Sequence, residues 1–316
     1  MLLRRMSRLA VTLAVVLTAA LTGAAEGSAG TARAATAAPR TGRQLLFYNH
    51  AYGVLDRATA DAIEHSAYLR DFADFEVRTT TGSGGESWTG RYLRGRETYL
   101  ELFGVGDLPG QSGALGSTGT GVSVERAGDL AKVIGRLKEE GVAEPVEFRQ
   151  TRDFGDGAPV PWFDGAFTTL QYDVFAAWAM EYRPEYFADP RGRTGPARYP
   201  GDVGRERYLP DAYRDHLMRD VTSVRLAVTR RDIANTVPLL RAGGFVVRQA
   251  ADGGVVAQRG GTRIRFDAVP LGQAGLRQVT FALNRPVEQR HEERIGRSAL
   301  VVGPGAHAVW NFGAPE

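Results

Sequence analysis

The chain has 316 residues, with 39 Lys plus Arg against 36 Asp plus Glu, and 43% of it is hydrophobic. That is enough apolar sequence for more than one core, and too much for a disordered chain. The whole +3 excess lies in residues 1–34, where four Arg face one Glu, so the rest is formally neutral and offers no net field to hold a nucleic acid; the lack of cysteine excludes disulfides, thiolate metal sites and Cys nucleophiles.

Residues 1–34 predict an export signal. Arg4, Arg5 and Arg8 make a positive start, Leu9 to Ala25 is uncharged and mostly apolar, and Ala32-Arg33-Ala34 fits a cleavage site. The apolar run of 17 residues includes three Thr and a Gly, which is short for a membrane span. The expectation is a secreted, extracellular protein without a membrane segment after cleavage. Residues 35–43 predict a flexible leader.

From residue 44 a strand–helix–strand order begins. Residues 45–56 read as a strand ending at Asp56, which can cap a helix over 57–72. Strands follow at 75–80, 87–94 and 96–104, the last two as a hairpin. After a glycine-rich linker (105–116) the order returns. A strand at 119–125 leads to a helix over 127–141 with Leu130, Val133, Ile134 and Leu137 on one face, then to strands at 145–153, 163–171 and 175–182. Residues 44–182 thus predict paired βαβββ modules. Residues 183–216, rich in Pro, Gly and charge, predict an insertion of loop plus helix, the helix around 208–219. Residues 217–316 predict a third module (strand 221–229, helix 231–244, three strands to 269) and an abbreviated fourth without a helix. Internal repetition of about 60 residues is the main organising feature.

Four stretches carry a family resemblance: His50 with Leu55-Asp56 before a helix, Thr98 to Gly104 (TYLELFG), and, in the second unit, GVSVE at 121–125 and WAMEY at 178–182. Together they resemble the vicinal oxygen chelate superfamily of glyoxalase and extradiol-dioxygenase-like proteins, and specifically its actinobacterial secreted branch of the DUF5829 type. The resemblance covers 45–182 and, more loosely, 221–312. It implies an α+β fold of repeated βαβββ modules, with mixed sheets curled around a cleft.

The resemblance also implies a metal between modules, held by the first and last strand of each. Position by position this names His50, Glu101 and Glu181 as ligands, with Gly119 in the fourth place and Thr118 or Thr120 binding weakly at best. One His and two carboxylates suit a divalent Mn, Fe, Co, Ni or Zn. Glu101 or Glu181 could also serve as a catalytic proton carrier. The implied activity is isomerase or lyase chemistry on a small oxygenated substrate, with dioxygenation less in keeping with a single His. The alternative is a metal-free small-molecule binding or sequestering protein of the same fold, which Gly119 favours. Ser223 stands where His50 stands in the first unit, so the third and fourth units read as a metal-free partner half. Four units can pair within a monomer; pairing between two chains is the alternative.

Plainer readings exist for each residue. His50 can be a hydrogen-bonded core residue, Glu101 can pair with Arg91 or Arg94, and Glu181 with Arg183. His216 could lie on a lid over the cleft, His65 and His291 read as surface residues, and His307 falls in a terminal loop. Trp88, Trp162 and Trp178 read as core. No G-x-S-x-G elbow, P-loop or H-E-x-x-H motif occurs.

Overall fold

The computed structural model describes residues 42–314. The export signal and most of the leader lie outside the described residues. The first module comprises β1 (Phe47–Leu55), α1 (Arg57–Glu64), α2 (Ala67–Phe72), β2 (Asp74–Thr81), β3 (Ser87–Arg94) and β4 (Tyr99–Gly104). Two caps set its helices: the Asp56 side chain accepts from the Thr59 N–H at 2.8 Å, and the Ser66 hydroxyl from the Leu69 N–H at 3.2 Å. The second cap starts a new helix, so the single helix expected over 57–72 is two. The second module comprises β5 (Thr118–Ser123), α3 (Asp129–Glu139), β6 (Val146–Arg152), β7 (Val160–Phe167) and β8 (Phe175–Tyr182).

These eight strands form one sheet in the order β2-β3-β4-β1-β5-β8-β7-β6. The central pair β1–β5 is antiparallel, and each of these strands has the last strand of its own module parallel on its other side. The sheet curls until its edges meet. Thr81 bridges Asp153, and the Gln150 side-chain oxygen accepts from the Ser83 N–H at 2.8 Å.

A second sheet repeats the first. Its strands are β9 (Met218–Val228), β10 (Val246–Gln249), β11 (Val255–Arg259), β12 (Thr262–Ala268), β13 (Gly275–Val287), β14 (His291–Ile295), β15 (Ser298–Val302) and β16 (Gly305–Asn311), ordered β10-β11-β12-β9-β13-β16-β15-β14. Helix α6 (Arg230–Ala242) follows β9. Between β13 and β14 there is only a turn. A helix would carry the chain back to the starting edge; without it β14 runs the other way, and β16 lies antiparallel to β13 where β8 is parallel to β5. Strand β14 (HEERI) carries His291 on an exposed edge strand, where charge is tolerated and discourages further pairing.

One continuous apolar core joins the two sheets, with Leu100, Leu102 and Val122 from the first and Val224, Leu226, Phe281 and Trp310 from the second. Burying each such side chain stabilises the fold by roughly 1.5–3 kcal/mol before entropy is charged against it. The opposite face of the first sheet is therefore free to line a hollow. Between the sheets in sequence lie two short helices, α4 (Pro184–Ala188) and α5 (Arg205–Tyr208). The helix expected around 208–219 is reduced to one 3-10 turn at Asp211–Asp215: Pro210 ends the preceding α5, and Met218 already begins β9. This arm is pinned by Arg205, which donates to Glu125 and to the Tyr48 carbonyl, each at 2.5 Å. His216 on the arm sits 3.3 Å from the Asp71 carbonyl and does not line the cleft described next. Among the described residues no helix is long and apolar enough to cross a membrane.

Candidate functional site

Strand alternation places Tyr99, Glu101 and Phe103 on the concave face of the first sheet, opposite Leu100 and Leu102 in the core. These residues line a cleft of about 860 Å³ measured to its open mouth. His50 reaches it through a β-bulge. The register of β1 on β5 slips between Tyr48 and His50, which leaves Asn49 as the extra residue. The Asn49 amide nitrogen donates to the Ser123 hydroxyl at 3.0 Å and to the Tyr182 hydroxyl at 3.1 Å. Its oxygen accepts from the His50 Nδ1–H at 2.9 Å and, at 3.4 Å, from the Tyr182 hydroxyl. With the amide in this orientation the neutral ring donates from Nδ1 and presents Nε2 as the acceptor, and Nε2 has no partner among the described residues.

The imidazole is enclosed by rings. It stacks on Tyr99 (centroids 4.5 Å apart) and meets Trp178 edge-on at 5.3 Å. Burial pulls its pKa from the ordinary 6.5 down to about 3. Glu101 lies between Tyr52 on β1 and Tyr92 on β3, and is only partly open to the cleft. Burial pushes its carboxyl up from 4.5 to about 8, against the opposing pull of the Arg78 charge. It has no hydrogen-bond or ion-pair partner among the described residues; Arg91 turns instead to Glu64 and Asp107, and Arg94 to Asp74 and Glu76. At neutral pH both groups are mainly uncharged.

Glu181 does not join them. It alternates with Trp178 and Met180, which face the cleft, and points to the other side of β8. There its two oxygens accept from the Gly128 and Leu130 N–H groups at 2.9 and 3.0 Å, so that it caps α3 in place of Arg183 pairing. Register explains the difference. Glu101 pairs with Tyr52, two residues after His50; two residues after Gly119, Gly121 pairs with Trp178. The counterpart of Glu101 is thus Trp178. Gly119 and Gly121 have a role of their own: the Tyr52 ring lies over the first and the His50 ring over the second, and a methyl group at either would overlap that ring. Thr118 and Thr120 face away, and the Thr120 hydroxyl donates to the His50 carbonyl at 2.8 Å.

A divalent metal centre needs at least three protein ligands here. Among the described residues no three His, Asp or Glu side chains come together as such a set, and Glu86 at the rim does not complete one. The residues present therefore do not fit the implied metal. Sequence reading missed that Trp88, Trp162 and Trp178 are cleft walls. Parity with Met180 would have placed Trp178, once the register of β8 was known. The remaining His residues are elsewhere: His65 ends α1, His291 stacks on Tyr68 at 4.6 Å, and His307 is exposed on β16.

The paired βαβββ architecture is the vicinal oxygen chelate fold that the sequence motifs implied. The profile of a family of unknown function, DUF5829, matches residues 48–312. Among solved structures the chain is similar to a hypothetical protein from Staphylococcus aureus, at 8% identity and a TM-score of 0.50 over 82% of this chain and 99% of that one. It is also similar to the Mn(II)-bound glyoxalase from Novosphingobium aromaticivorans (9% identity, TM-score 0.39, 84% and 81% covered). A third is BphC, a halotolerant catechol dioxygenase (11%, 0.42, 86% and 88%). No curated protein matches the chain. At these identities the likeness is one of fold alone.

Proposed function

We propose that this chain, which belongs to the DUF5829 family of unknown function, binds a small, flat, uncharged molecule in the cleft without a metal ion. One observation carries the reading: His50 and Glu101, the two candidate ligands that do face the cleft, are held uncharged by burial among aromatic walls, while Gly119 and Trp178 occupy the places that would complete a ligand set. Rings such as Tyr52, Trp88 and Trp178 offer stacking surface. A protonated Glu101 donates a hydrogen bond and His50 Nε2 accepts one, so the fitting ligand carries one acceptor and one donor, as a phenol does. The export-type sequence of residues 1–34 supports a site of action outside the cell.

The competing reading is a divalent-metal lyase or isomerase. Elemental analysis separates the two. The protein is dialysed against Mn, Fe, Co, Ni and Zn and then against buffer. The expected result is no metal in proportion to protein. Stoichiometric metal that is lost in His50→Ala would overturn the proposal.

A further inference from the structure

The concave face of the first sheet holds a second hollow beyond Tyr99, the residue that lines both. It measures about 1150 Å³ to its open mouth. The sheet supplies one wall, with Arg78, Arg94 and Arg152; the insertion arm supplies the other, with Arg191, Arg193 and Tyr208. The arm is held over the sheet by Arg205 and by Tyr208 stacked on Tyr182 at 4.1 Å.

The charges here do not cancel. Glu76 is the one carboxylate in the lining, and it is taken by Arg78 at 2.9 Å and Arg94 at 2.7 Å. Arg94 also grips Asp74 with two nitrogens at 2.9 Å, and Arg191 is paired to Asp189 and Asp156. Arg152 and Arg193 have no carboxylate partner among the described residues. Arg152 is only partly exposed; its guanidinium stacks near Phe154 at 4.6 Å and Trp162 at 5.6 Å, and donates to the Tyr186 hydroxyl at 2.6 Å. Arg193 follows Gly192 in the left-handed region (φ 50°, ψ 39°), which favours glycine. The hydroxyls of Tyr99 and Tyr208 also lack partners among the described residues. The hollow therefore has more hydrogen-bond donors than acceptors, and two guanidinium groups without a counter-charge.

We infer that this hollow between sheet and arm binds an oxyanion carried by a small molecule, a carboxylate or a phosphate. A guanidinium fork fixed by ring stacking matches a two-oxygen face and is already ordered before the ligand arrives. The Tyr186 and Tyr208 rings that line the hollow with Arg152 suit an oxyanion attached to a planar group. This inference does not rest on the cleft reading above: Tyr99 is shared, but the groups that would hold the ligand are Arg152 and Arg193, and the ligand is charged.

Isothermal titration calorimetry tests it with three probes: benzoate, its neutral twin benzamide, and inorganic phosphate. Saturable binding of benzoate or phosphate is expected, with benzamide much weaker. Benzoate alone would assign an aryl carboxylate; phosphate as well would assign oxyanions in general. Arg152→Gln and Arg193→Gln should each weaken binding about tenfold or more, the scale of one lost charge-assisted bond. Arg285→Gln, an exposed change of the same charge in the second sheet, should leave it unaltered. If Arg152→Gln fails to fold, Arg193→Gln on the exposed arm carries the comparison. No saturable anion binding, benzamide binding as tightly as benzoate, or an equal loss in Arg285→Gln would overturn the inference.

Discussion

His50 lies against Tyr99 with the two rings 4.5 Å apart and 15° from parallel. The contact leaves no room for a hydration shell on that face, so the imidazole is neutral and works as a hydrogen-bonding ring. Its folded pKa of about 3 is below the ordinary 6.5, so the unfolded chain binds this proton more readily. Stability from this group is therefore full above 6.5 and is lost as pH falls towards 3. Urea unfolding at a series of pH values should show that His50→Gln flattens this acid loss. An unchanged acid limb would contradict the neutral assignment.

Glu101 has the opposite sign. Its folded pKa of about 8 exceeds 4.5, so its contribution is full below 4.5 and is lost as pH rises through 8. Glu101→Gln keeps the shape and removes the charge. It should stabilise the protein by roughly 1–3 kcal/mol at pH 7 and flatten the alkaline limb. A destabilised variant at pH 7 would mean that the carboxylate is charged and paired.

Gly119 and Gly121 give space to rings. Gly119→Ala and Gly121→Ala should each cost about 1–3 kcal/mol by overpacking and should weaken cleft binding by displacing Tyr52 or His50. Denaturant melts and calorimetry measure the two effects separately. Wild-type stability in both variants would show that the rings are not seated there.

Glu181→Ala removes a cap from α3 and should cost roughly 0.5–2 kcal/mol. Cleft binding should be unchanged, since the side chain lies on the other face of β8. A selective loss of binding without loss of stability would return Glu181 to the site.

The module order was legible because strand alternation, helix caps and glycine turns act locally. His50 and Glu101 were found from family position, and strand alternation sets Glu101 on one face with Tyr99 and Phe103. Glu181 was misplaced because facing depends on register, and a slip of one residue reverses the face of a whole strand. The bulge at Asn49 has no local signature, and it is what turns His50 into the cleft. Trp178 was read as core because an indole on a cleft wall and one in a core look alike in sequence. The charged strand β14 was missed because its stability comes from pairing with β15 rather than from its own side chains.

Calorimetric titration with 2-naphthol, before and after EDTA treatment and again with added Mn²⁺, tests metal-independent binding most directly. The account predicts the same saturable isotherm in all three conditions. Binding that vanishes with EDTA and returns with Mn²⁺, or no binding in any condition, would contradict it.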